Sequence, residues 1–164
     1  MGGAMPEAAM VELKVQPIKN GTVIDHISAG QALQVMRILG LPAPGSTSIV
    51  SIGMNLPSQK MGQKDVVKIE DRELDPNEVN KISLIAPKAT ISIIRNYQIA
   101  KKAVVQLPKE IVGLARCENL SCITNTKQEP VRSRHLIAQR DPPKLLCAYC
   151  GREVKQVAAS LVPE

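Results

Sequence analysis

The sequence predicts an α+β fold, an antiparallel sheet with helices on one face followed by a small antiparallel β unit. Three observations predict it. Two-residue and 3.6-residue hydrophobic periods follow one another along the chain, turn chemistry separates them, and all four cysteines fall in the last third.

Val11-Glu12-Leu13-Lys14-Val15-Gln16 alternates apolar and polar residues, as a half-buried strand should. Lys19-Asn20-Gly21 supplies a turn before Thr22-Val23-Ile24. Ser28 is placed to cap a helix running to about Leu39, with Ala29, Ala32, Leu33, Met36 and Leu39 on one face and Gly40 and Pro42 ending it. The next strand, 47–54, puts Val50, Ile52 and Met54 on one side, and Leu56 to Gly62 reads as a link to a strand over 65–70. Asp75-Pro76-Asn77-Glu78 is a helix start, with a capping Asp, Pro in the first turn and Glu at the third position. Val79, Ile82 and Ile85 supply its buried stripe, Pro87 closes it, 90–94 is a β-branched strand and 97–105 continues extended. The order strand, helix, strand, strand, helix, strand is the ferredoxin-like βαββαβ pattern. Residues 11–107 are expected to form this domain, residues 1–10 a frayed extension, and residues 108–164 a second unit beyond a connector at Pro108–Gly113.

The chain has no Phe or Trp and only two tyrosines, so its core must be built from Ile, Val, Leu, Met and Ala. No apolar run approaches the ~20 residues needed to cross a bilayer. The N-terminus lacks the pattern of a secretory signal, and Pro6 stands where myristoylation expects Ser or Thr, so a cytoplasmic location is expected. The net charge of +6 is spread without a basic block, which suits a phosphate-bearing ligand, an acidic partner surface or simply a solvated exterior.

Cys117 and Cys122 form a Cys-x4-Cys pair, and Cys147 and Cys150 a Cys-x2-Cys pair. Two such knuckles aim four sulfurs at one point, the donor set of a closed, structural zinc site. About 40 residues bury too little apolar surface to fold alone, so a metal staple is expected there. Disulfides are disfavoured in a cytosolic chain. A redox Cys-x2-Cys leaves the other pair unexplained, and iron–sulfur clusters usually use other spacings. His135 lies outside both knuckles and is expected at the surface.

No nucleophile elbow, Walker loop, dinucleotide fingerprint or His-Glu-x-x-His is present. Asp25 and His26 are adjacent, and adjacent strand residues face opposite ways, so without a bend they cannot form a catalytic dyad. Lys64, Lys68 and Lys102 could hold a triphosphate as point charges or form an exposed lysine ladder.

Residues 21–27 (Gly-Thr-Val-Ile-Asp-His-Ile), Met54-Asn55-Leu56-Pro57-Ser58, Met61-Gly62, Lys64-Asp65 and Lys68-Ile69-Glu70 resemble the aspartate carbamoyltransferase regulatory-chain family. Ala86-Pro87, Ala89-Thr90, Asn96-Tyr97, Cys117, Asn119, Cys122-Ile123 and Cys147-x-Tyr149-Cys150 extend the resemblance over about residues 11–155. It implies a non-catalytic chain of a hetero-oligomer in pyrimidine biosynthesis. The N-terminal allosteric domain would bind nucleoside triphosphates and pair as a homodimer, and the zinc domain would dock on the catalytic chain. CTP would inhibit, UTP assist and ATP activate, with neither nucleic acid nor membrane as partner. Carried over by position, Asp25 would hold the ribose hydroxyls, His26 and Lys102 the phosphates, and Lys68 the base or sugar. Main-chain groups of Ile18 and Tyr97 would read the base, with Val15 and Ile99 lining the pocket. Ser92 stands where an asparagine is common near the base, Gly151 where a charged residue often follows the last cysteine, and Ser121 where a larger polar residue is usual. The alternative is a zinc-ribbon nucleic-acid-binding protein, which two tyrosines equip poorly for base stacking.

Overall fold

The computed structural model describes residues 16–128 and 131–162. Residues 1–15, which include the expected N-terminal extension, nearly all of the strand expected over 11–16 and the candidate Val15, lie outside the described residues.

Two antiparallel sheets make up the described chain. The first has five strands in the order β2-β3-β1-β4-β5, formed by β1 (Gly21–Ser28), β2 (Val50–Ser58), β3 (Gly62–Glu70), β4 (Thr90–Arg95) and β5 (Gln98–Val104). Helix α1 (Ala32–Ile38) joins β1 to β2, and α2 (Pro76–Ser83) joins β3 to β4. This is the expected βαββαβ topology with an added edge strand. Ile24, Ile27, Val67 and Ile69 of the strands pack with Ala32, Val35 and Met36 of α1 and Ile82 of α2, so both helices cover one face of the sheet. Gly21 is required where β1 begins: a Cβ there would stand 2.0 Å from the Ile69 carbonyl oxygen, and its φ is +139°.

Several expectations are corrected in detail. Ser28 ends β1 and does not cap α1. The buried Asp65 carboxylate does that work from β3, accepting the N–H groups of Gly30 at 2.9 Å and Ala32 at 3.0 Å. Leu33 faces solvent, and Val35 and Ile38 join Ala32, Met36 and Leu39 in facing the core. Leu56–Ser58 is strand and not a link. A bulge between Gly53 and Leu56, with Asn55 at φ +57°, lets β2 continue out of phase. Ile52 and Met54 remain largely exposed, since β2 is an edge strand. The segment 97–105 does not simply extend β4. Asn96 and Tyr97 both have positive φ and turn the chain back in a two-residue hairpin, closed by Arg95 opposite Gln98. The start of α2 is as expected: Asp75 accepts the Glu78 N–H at 2.9 Å and Glu78 accepts the Asp75 N–H at 3.2 Å.

The second sheet has the order β6-β7-β8-β9, with β6 (Glu110–Val112), β7 (Arg134–Arg140), β8 (Pro143–Cys147) and β9 (Glu153–Val154), followed by the short helix α3 (Val157–Ser160). The expected connector therefore carries a strand. Nor is this unit coreless: Ile111, Leu114, Leu145, Val154 and Leu161 belong to the same apolar cluster as Ile24 and Ile82. Arg37 of α1 donates to the Ala158 carbonyl, and the buried Lys81 of α2 donates to the Val162 carbonyl at 2.7 Å. No helix among the described residues is long and apolar enough to cross a membrane.

Candidate functional site

Two places gather the chemistry-bearing residues. The first is the sheet face opposite the helices. Strand register aligns Lys68 with Val23, Val23 with Ser92, and Ser92 with Lys102. Register partners share a face, so Lys68, Ser92 and Lys102 form one row across the sheet. Two residues along, Asp25 is paired with Thr90, and Thr90 with Val104. Two residues the other way, Ile94 is paired with Ile99. Asp25, Lys68, Ser92, Ile99 and Lys102 are thus brought to one helix-free surface.

The Asp25-His26 puzzle is answered by a bulge. Register shifts between Ile24 and Ile27, and His26 sits at φ +55°, so the strand bends there. The His26 N–H donates to Asp25 Oδ1 at 2.6 Å, while the imidazole Nδ1 stays 3.9 Å from that oxygen. Lys64 Nζ instead holds the Asp25 carboxylate, 2.9 Å from Oδ1 and 3.2 Å from Oδ2. Burial pushes the Asp25 carboxyl up, but the Lys64 and His26 hydrogen bonds and the nearby positive charges outweigh it and keep the group below its ordinary value. Burial lowers the Lys68 ammonium, partly offset by Asp25. Lys68 Nζ also donates to the Gln16 carbonyl at 2.9 Å.

Ile18 is buried, whereas Tyr97 and Ile99 are exposed. Asn20 Oδ1 accepts the Asn96 N–H at 3.0 Å and the Lys19 carbonyl accepts the Tyr97 N–H at 2.9 Å, so the 18–20 segment pins the β4–β5 turn. The Tyr97 N–H is therefore already used within the fold.

The second place is the cysteine cluster. The four Sγ atoms lie within 4.8 Å of one another. Cys117 and Cys150 are 3.5 Å apart and Cys122 and Cys147 3.7 Å apart, too far for a disulfide. Four sulfurs at ~2.3 Å from a tetrahedral ion stand about 3.8 Å from each other, so this donor set fits zinc. In the first knuckle Asn119 Oδ1 accepts the Ser121 N–H at 3.0 Å, and Asn125 Nδ2 donates to the Cys117 and Asn119 carbonyls. Thr124 Oγ1 donates to Cys122 Sγ at 3.2 Å. In the second, the Gly151 N–H returns to the Cys147 carbonyl at 2.9 Å, with Gly151 at φ +76°, which explains glycine there. The Arg152 N–H draws the Cys150 thiol down to about 6, and burial pushes Cys117 up to about 12. Sulfurs so close cannot all be thiolates without a cation among them.

His135 is corrected. It is fully buried in β7, paired in register with Cys147, while Leu136 faces solvent. Neither ring nitrogen has a hydrogen-bond partner among the described residues, and burial depresses the imidazole. The β7–β8 register places position 135 inward regardless of its polarity. Sequence reasoning also missed Asp65, whose three backbone partners, Gly30, Ala32 and Asn55, lie 35, 33 and 10 residues away.

An open polar sheet face and a cluster of four cysteines that could hold a metal ion, joined by one apolar core, define an α+β chain with a metal-binding module. Family comparison makes this specific. Residues 13–106 match the aspartate carbamoyltransferase regulatory chain allosteric domain, and residues 109–160 its metal binding domain. A regulatory chain from Methanothrix thermoacetophila is 53% identical over 88% of this chain and 93% of its own length. One from Methanocella arvoryzae is 54% identical over 90% and 94%, and one from Korarchaeum cryptofilum 48% over 88% and 92%. The chain belongs to the aspartate carbamoyltransferase regulatory-chain family and is a non-catalytic subunit. The zinc-ribbon nucleic-acid reading is not favoured.

Proposed function

We propose that this chain senses nucleoside triphosphates on the open face of its five-stranded sheet and passes the effect to a catalytic chain docked on its metal-bearing end. The observation that supports this most is the Lys68–Ser92–Lys102 row, flanked by the bulged Asp25-His26 pair on a surface no helix covers. Asp25 suits ribose hydroxyls because it is ionised and oriented by Lys64. His26 and Lys102 suit phosphates, Lys68 the base or sugar, and Ile18, Tyr97 and Ile99 the base end, to which the family resemblance also assigns Val15. Residues 11–107 serve as the effector domain and 108–164 as the docking unit.

One zinc held by Cys117, Cys122, Cys147 and Cys150 fixes the two knuckles and, having no open position, takes no part in chemistry. The chain works in the cytoplasm, pairs with a second copy through its effector domain and bridges catalytic subunits. CTP, with UTP, inhibits and ATP activates. An effector acts only through the difference in its affinity for two quaternary states, typically ~1–3 kcal/mol. Reconstituting the zinc-loaded chain with the catalytic subunit tests this. CTP should shift aspartate saturation to higher concentration and ATP to lower, and a complex whose saturation curve ignores both nucleotides refutes the reading.

A further inference from the structure

Beyond the Asp25–Thr90–Val104 row, the open face ends in a cavity of about 290 Å³ lined in part by His26, Lys60, Met61, Lys88 and Thr90. Lys60 comes from the β2–β3 hairpin and Lys88 from the loop between α2 and β4. Among the described residues no carboxylate lines this cavity, where three groups able to carry positive charge converge, and Asp25, 3.9 Å from His26 Nδ1, stands outside the lining. Lys60 forms no ion pair among the described residues. Among the described residues Lys88 is paired with Asp141, at 3.8 Å, and both of those side chains are more than half exposed. Such an exposed pair is weak and leaves the ammonium free to turn inward. His26 Nδ1 is buried and lacks a hydrogen-bond partner among the described residues.

The cavity lies four residues along β4 from the Ile94–Ile99 row, about 14 Å at strand spacing. It is at the small end for a ligand pocket, suited to phosphoryl groups and not to a nucleoside. We propose that Lys60 and Lys88, with His26, clamp the terminal phosphate of the effector, so that this chain ranks nucleotides by phosphate number. The inference rests on the effector-site reading given above and names two binding residues that reading does not contain.

The test is calorimetric titration of the full-length, metal-loaded chain with CTP, CDP and CMP, using Lys60→Gln, Lys88→Gln and the double variant. Each partly exposed phosphate contact contributes up to about fivefold. CTP affinity should therefore fall by about tenfold in the double variant, CDP less, and CMP not at all, while Lys60→Arg retains CTP affinity. Equal losses for CTP and CMP, or none for either, overturn the clamp. Failure of the unsubstituted chain to bind any of the three overturns the effector-site reading itself. Unchanged thermal unfolding of the variants shows that any loss is local.

Discussion

The two sheets solve the same folding problem with different materials. The five-stranded sheet buries one face under α1 and α2 in aliphatic side chains and leaves the other open for polar groups. Among the described residues the four-stranded sheet has only the short α3, beside β8, as a helix of its own. Its inner residues, Ile111, Leu145, Val154 and Leu161, extend the first sheet's core. Its outer end is a separate small cluster of Cys117, Cys122 and Cys147. The lesson is that the metal site and the core divide the second unit between them: apolar burial fixes the strands, and only the knuckles depend on sulfur.

The largest effect should come from the sulfurs. Structural zinc contributes ~10–16 kcal/mol in small domains. Removing the metal, or substituting Cys147→Ser, should abolish hydrogen-exchange protection around 116–126 and 147–152 while β1 and β3 keep theirs. Loss of protection throughout the first sheet would break the division drawn above. Acidification should release the metal in the same way, since protons compete for thiolates.

Next is the shared core. Leu145 is fully buried, and Leu145→Ala should cost ~2–5 kcal/mol. A single calorimetric transition should move down, as it should for Ile69→Ala, because both residues lie in one cluster. Two separated transitions would show that the sheets fold independently.

Smaller effects belong to the first sheet alone. Asp75→Ala removes the capping box of α2 and should cost about 1 kcal/mol, read by chemical denaturation, with no change in metal content. The smallest is titration of Asp25. Its carboxyl is held below the ordinary value, so its contribution is complete above the unfolded-state value and disappears as pH falls through the folded one. Asp25→Asn should therefore flatten the acid limb of the stability profile and leave the neutral region nearly parallel to that of the unsubstituted chain. An unchanged acid limb would show that Lys64 does not hold the carboxylate in solution.

Local chemistry was legible and distant pairing was not. The capping box at Asp75–Glu78, the strand at 90–94 and the two cysteine knuckles each act within a few residues, and all three stand as read. The bulges at Asp25-His26 and Met54-Asn55 escaped notice because an extra residue in a strand is defined by its partner strand. Family resemblance, more than periodicity, pointed to Asp25, Lys68 and Lys102. Their common face became visible only through the register of β1, β3, β4 and β5.

The sequence by itself determined the helix and strand order of the first unit up to β4, the aliphatic make-up of the core and the two close cysteine pairs, because periodicity, turn chemistry and short spacing are properties of adjacent residues. Tertiary structure alone decided that Asp65 caps α1, that His135 is buried, and that one core serves both sheets. Each of these depends on contacts between residues far apart along the chain, and such contacts form only when strand register brings them together.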